Sequence, residues 1–202
     1  MWRRIVPDDR SSEAFDRAAK LLKPHDTAVD CGANVGVYTA IMARNGATVH
    51  AFEPDPVAFA ALEKRLGRKS NVILHRAAIS NRSGSARLYF HNNRAQDPVK
   101  LSQSSSLLDS KTNVSANDHI DVKLIDAADF IQSLGNVSLM KMDVEGHEIE
   151  ILNHLIDRDC AYNILQAFVE VHDRKNPALR IATDALRARV EQMGLPFDLN
   201  WH

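Results

Sequence analysis

The sequence offers little that would support a membrane protein, a disulfide scaffold or a metal finger. No apolar run approaches the roughly 20 residues that a bilayer-spanning helix needs. Only two cysteines occur among 202 residues, Cys31 and Cys160, and they make no metal-binding spacing. Free, reduced thiols fit a cytoplasmic protein, and Cys31, after an apolar run, reads as a small buried hydrophobe. The opening MWRRIVPDDR carries basic residues but no apolar stretch, so no signal peptide is expected. Neither sign of charge is in excess. Lys and Arg total 25 against 26 Asp and Glu, a formal net charge of -1. That balance demands neither a nucleic acid nor an anionic membrane as partner. The G-x-S-x-G elbow of a serine hydrolase is missing. No lysine follows the one glycine-bearing loop, which excludes a phosphate-binding P-loop. Internal repeats and low-complexity tracts are also missing.

What is present suits one α/β domain over 1–202. Hydrophobic residues make up 45%, enough for one core at this length. SSEAFDRAAKLL predicts a short helix in the N-terminal lead 1–26, capped by Ser11 or Ser12, with Phe15, Ala18, Ala19 and Leu22 on one side. TAVDC predicts a strand, with a helix from about Val35 to Arg44 behind it. ATVHAFE predicts the second strand. DPVAFAALEKRLG is the clearest helix, with Asp55 as cap, Pro56 at the first position and Gly67 as stop. NVILHRAAI predicts a third strand and SARLYFH a fourth, antiparallel one. HIDVKLI, VSLMKMD and NILQAFVEVH are further strands; DAADFIQSL, EGHEIEILNHLID and NPALRIATDALRARVEQMG are helices, the last starting at Asn176 and Pro177. Alternating strands and helices of this size imply a mostly parallel twisted sheet with helices on both faces. Ligands of such sheets bind outside the carboxyl ends of the strands. A polar, Ser/Asn-rich insert at about 91–118 has two open readings, a solvated insert or a binding loop. Leu107 and Leu108 within it have little reason to float free.

The first strand exit, VDCGANVG, decides which nucleotide fits. A dinucleotide loop uses a second glycine so that its backbone can approach a pyrophosphate. Here Asn34 stands in that place, between Gly32 and Gly36. A ligand with a ribose and an amino-acid end, but no pyrophosphate, suits the loop better. Asp30 is placed to meet an ammonium, and Glu53, ending the second strand, to accept from two ribose hydroxyls. Thr39 and Ala78 complete the candidate cofactor set. The ligand of that shape is S-adenosyl-L-methionine.

VDCGANVGVYT, HAFEPDPVAFAALEKRL, NVILHRAAISNRSGSARLYF and LMKMDVEGHEIEIL occur in this order. Together they resemble the FkbM-type family of S-adenosylmethionine-dependent methyltransferases over about residues 20–172. EPDP and KMDVEGHE are the most specific pieces, and SSSLL in the insert is similar to a Ser-Ser-Leu element of that family. The resemblance implies a Rossmann-like class I methyltransferase fold and methylation of a hydroxyl on a sugar, glycan or polyketide natural product. Related folds end in a further strand pair, so the short stretch after Gly194 implies a shortened C-terminal strand pair.

The second chemical cluster is KMDVEGHEIE. Asp143, Glu145, His147 and, from the neighbouring strand exit, His172 are the catalytic candidates. A hydroxyl is a poor nucleophile while protonated, so a general base near the methyl group assists transfer. His172 is expected near its usual pKa; its other reading is a solvated loop histidine beside Asp173. Glu148 is expected to face water at a helix start. A divalent metal on Asp143, Glu145 and His147 ranks below a metal-free site, because no DxDxDG-type loop supports it. His50 and His75 read as core or edge fillers. Two rival functions stay open, an NAD-dependent oxidoreductase and a non-catalytic S-adenosylmethionine-binding module.

Overall fold

The computed structural model describes residues 9–91, 114–173 and 177–201. Its main sheet contains β1 (Thr27–Cys31), β2 (Thr48–Phe52), β3 (Val72–His75), β7 (Leu139–Met142), β8 (Ala167–Val169) and β9 (Phe197–Asp198), in the order β3-β2-β1-β7-β8-β9. Every pairing in it is parallel. The order reverses between β1 and β7, which opens a crevice at their carboxyl ends. A second sheet joins β4 (Ala78–Ser80), β6 (Val114–Asp126) and β5 (Gly84–His91).

Helices cover both faces because the strands are apolar on both. Helices α1 (Asp9–Leu21), α2 (Val37–Met42) and α3 (Pro56–Leu66) lie on one face. Phe15, Ala19, Met42, Leu62 and Leu66 pack there against Ala28, Val49, Leu139 and Phe168. Helices α4 (Ala127–Leu134), α5 (Glu148–Asp157) and α6 (Pro177–Gln192) lie on the other. Ile131, Ile151, Leu155 and Leu186 pack there against Val29, Phe52, Met140 and Val169. Period-2 alternation thus sends Ala28 and Asp30 of β1, with Leu139 and Lys141 of β7, towards α1–α3. Phe15 sits edge-on to Tyr38 and Phe168, and beside Trp201, so α1 is locked to α2, the sheet and the final turn.

Local signals explain the best-defined ends. The Asp55 carboxylate accepts from Val57 N and Ala58 N, with Pro56 at the first helical position. Asp126 caps α4 through Ala128 N and Asp129 N, and also accepts from His154.

Several sequence expectations need correction. Helix α1 begins at Asp9, so Ser11 and Ser12 lie within it and neither caps it. The expected third strand divides at Arg76 and Ala77, and its second half leaves the main sheet to pair with β6. Strand β5 is antiparallel to β6, as expected, but β6 reaches back to Val114, into the expected insert. The remainder of that insert, with Leu107 and Leu108, lies outside the described residues, as does Asn176. The shortened C-terminal end is as expected: the last strand among the described residues is the two-residue β9, parallel to β8. Among the described residues, no helix is long and apolar enough to cross a membrane.

Candidate active site

Four parallel strands deliver their carboxyl ends to one side of the sheet. After β1, the chain turns sharply through Gly32 at φ 80, Asn34 at φ 49 and Gly36 at φ 79. Only glycine fits at 32, since a Cβ there would lie 1.8 Å from the Asp143 carbonyl oxygen. A Cβ on Gly36 would meet the side chains of Leu62 and Leu66. The two glycines therefore make room for the protein's own chain. Gly32 N and Ala33 N donate to Phe52 O, which ties the turn to the end of β2.

Glu53 sits beneath this turn, 6% exposed. Its Oε2 accepts from Asn34 N at 2.8 Å and its Oε1 from Asp55 N at 2.7 Å. Burial pushes its carboxyl up to about 8, against the lowering effect of those two backbone bonds. Each oxygen keeps acceptor capacity for a further donor, so Glu53 could hold a pair of ligand hydroxyls. The Asn34 side chain accepts from Val35 N at 2.8 Å.

Asp30 and Thr39 meet, with Thr39 Oγ1 donating to Asp30 Oδ2 at 2.6 Å. Both are fully buried. Opposite Asp30 in the sheet is Lys141, a residue the sequence reading passed over as part of a buried strand. Its Nζ donates to Gly32 O at 2.7 Å and lies 3.6 Å from Asp30 Oδ1 and 3.7 Å from Asp143 Oδ2. Burial would lower its pKa, but Asp143 and Asp30 outweigh burial and raise it, so the ammonium persists. A lone lysine in the run LMKM, two residues before an aspartate, was the available signal. Ala78, at the start of β4, is buried in the second sheet.

Three of the four catalytic candidates converge. His172 Nε2 lies 3.4 Å from Glu145 Oε2 and 3.8 Å from Asp143 Oδ1. Its Nδ1 is bonded to Glu148 Oε1 at 3.1 Å. Glu148 does not face water as expected: it is 1% exposed and also accepts from Val144 N and Gly146 N. The turn over Glu145 and Gly146, at φ 59 and φ 112, folds the chain back so that these donors reach it. Burial of the His172 ring would lower its pKa, but the Glu148 bond and the charges of Glu148, Glu145 and Asp143 raise it to about 9. The expected near-neutral value is therefore wrong for this environment, and the ring is an imidazolium at pH 7. Glu170, on the same strand exit, has its carboxyl raised by burial and by Asp143. His147 has different partners. Its Nε2 meets Ser80 Oγ at 3.1 Å and its Nδ1 faces Glu150 at 3.7 Å. One atom each of Asp143, Glu148 and His172 could converge on a cation, although Glu148 already serves the turn and the imidazole.

The sequence matches the methyltransferase FkbM domain over residues 30–195. The chain belongs to the FkbM methyltransferase family. All of the candidate residues above fall inside that span. The chain is 30% identical over 203 residues to the 31-O-demethyl-FK506 methyltransferase FkbM of Streptomyces tacrolimicus, covering 86% of this chain and 74% of that one. It is 27% identical over 156 residues to the hexuronic acid methyltransferase AglP of Haloferax volcanii, covering 75% of this chain and 58% of that one. The crystal structure of methyltransferase FkbM from Methylobacillus flagellatus superimposes with a TM-score of 0.50 at 18% identity, covering 87% of this chain and 39% of that one. The last likeness shows the shared fold, a Rossmann-like mostly parallel sheet. The chain spans little more than half the length of the second relative and less than half of the third.

Proposed function

We propose that this protein is a cytoplasmic S-adenosylmethionine-dependent O-methyltransferase acting on a hydroxyl of a sugar, glycan or natural product. One observation carries the reading. A buried carboxylate beneath the glycine turn and a carboxylate–imidazolium cluster meet at the same strand exits, linked through Lys141 and Asp143. Asn34 stands where a dinucleotide loop carries its second glycine, and its side chain accepts from Val35 N, which disfavours NAD. The relatives named for 31-O-demethyl-FK506 and for hexuronic acid support oxygen-bearing acceptors of this kind.

Glu53 takes the two ribose hydroxyls, and the turn from Gly32 to Gly36 holds the methionine part. Ala78 borders the adenine side. Asp30, buried on Thr39, supports the start of α2. The bound cofactor supplies an activated methyl group. An acceptor hydroxyl held beside that methyl group would give its proton to a base of this chain. Because His172 is already charged, the proton goes to a carboxylate beside its Nε2. Glu145 fits best, since its left-handed backbone presents the carboxylate at 3.4 Å from that nitrogen. The imidazolium, which Asp143 also faces, orients it. His147, turned to Ser80, lies outside this relay.

Thermal unfolding with ligand tests the cofactor. S-adenosylmethionine or S-adenosylhomocysteine at 100 times its dissociation constant should stabilise the fold by about 2.7 kcal/mol, and NAD should have no effect. Protection by NAD with both sulfur compounds silent overturns the reading. With labelled cofactor and a glycan panel, Glu145→Gln should slow transfer roughly 10²–10⁴-fold at nearly unchanged cofactor affinity.

A further inference from the structure

We propose that Lys141 is a positioning residue that builds the subsite for the amino-acid end of the cofactor, acting through Gly32 and Asp143. The proposal rests on the S-adenosylmethionine reading above. Lys141 is 2% exposed and lies within a strand whose neighbours Met140 and Met142 are core residues. A methionine at this position would fill much the same space. Replacing buried ionic groups by apolar ones is often neutral or stabilising, so stability alone does not call for an ammonium here.

The geometry around Nζ gives it a different task. It donates to Gly32 O at 2.7 Å, which fixes the direction of the turn just where φ becomes positive. It also stands between two carboxylates, Asp30 at 3.6 Å and Asp143 at 3.7 Å, that would otherwise repel each other across adjacent strands. Only the second of these is open. The Asp143 side chain is 29% exposed, whereas that of Asp30 is fully buried. Lys141 holds Asp143 by Oδ2, while Oδ1, buried and without a hydrogen-bond partner among the described residues, lies 3.8 Å from His172 Nε2. A partly exposed carboxylate fixed between Lys141 and His172 suits an α-ammonium. The adenosine end is served separately by Glu53, whose hydrogen bonds run to Asn34 and Asp55.

Two probes separate the ends. S-adenosylhomocysteine carries the amino-acid group, and 5′-methylthioadenosine has the adenosine and sulfur without it. Lys141→Met should weaken S-adenosylhomocysteine on the order of tenfold or more, as for loss of a charge-assisted contact, and 5′-methylthioadenosine by less than about threefold. Asp143→Asn keeps the lysine and should give the same selective loss. The double variant should lose no more than the worse single one, because the two residues act as a unit. Lys141→Arg, which keeps the charge, should recover part of the preference. Should Lys141→Met fail to fold, Asp143→Asn and Lys141→Arg decide by the same ratio. Equal weakening of both probes, or none in either, overturns the proposal. If the unaltered protein binds 5′-methylthioadenosine and S-adenosylhomocysteine but the ratio never moves, only the role of Lys141 falls. If it binds neither, the cofactor reading fails and this proposal with it.

Discussion

Glu53 should make cofactor binding depend on pH. Its carboxyl is raised to about 8 from an ordinary value of 4.5, chiefly by burial. Before ligand arrives, the protonated form thus outnumbers the ionised form by about ten to one at pH 7. Ribose hydroxyls donate, and donors favour the carboxylate, so binding should expel a proton. With the bound form ionised throughout, the dissociation constant of S-adenosylhomocysteine should fall about fiftyfold between pH 6 and pH 8, then level off. The sign for the ligand-free fold is opposite. A raised folded pKa contributes stability below 4.5 that is lost as pH rises through about 8. Calorimetry in two buffers of different ionisation enthalpy should find close to one proton released per site at pH 6. Glu53→Gln should flatten the profile, and it preserves more of the turn than Glu53→Ala, because an amide oxygen can still accept from a backbone N–H. Affinity that is flat from pH 6 to pH 8 in the unaltered protein refutes the reasoning. So does a slope that survives in Glu53→Gln.

Two further outcomes test the site as structure. Gly32→Ala forces a Cβ onto the Asp143 carbonyl at a left-handed backbone position, and urea unfolding should show a loss of at least about 2 kcal/mol; an unchanged midpoint would contradict the tight turn. His172, raised to about 9 from 6.5, should stabilise the fold fully below pH 6.5 and lose that contribution as pH rises through 9. The upper bound is roughly 3 kcal/mol, reduced by solvent screening at a side chain 21% exposed, and chemical denaturation of His172→Gln should lack this pH dependence.

Much of this protein was legible as sequence because its signals are local. The Asp55-Pro56 start of α3, the apolar strands, and the alternation that makes a parallel sheet each follow from neighbours within a few residues. So does the placing of Glu53 and of the Gly32–Gly36 turn at strand exits, since parallel strands send all their exits to one side. The motifs VDCGANVG, EPDP and KMDVEGHE were enough to suggest the family. Tertiary structure decided what no local pattern carries. Glu148 looked like a helix-start carboxylate bound for water, yet a strained turn and a histidine 24 residues away enclose it. His172 looked ordinary, yet three carboxylates brought together from β7 and α5 set its charge. His147, adjacent in sequence to the same cluster, was turned away to Ser80 on a strand of the second sheet. Lys141 acquired its partners only when β1 and β7, more than a hundred residues apart in the chain, paired in a register that sets it beside Asp30. Desolvation and charge depend on distances in space, and those distances are fixed by strand pairing rather than by sequence spacing.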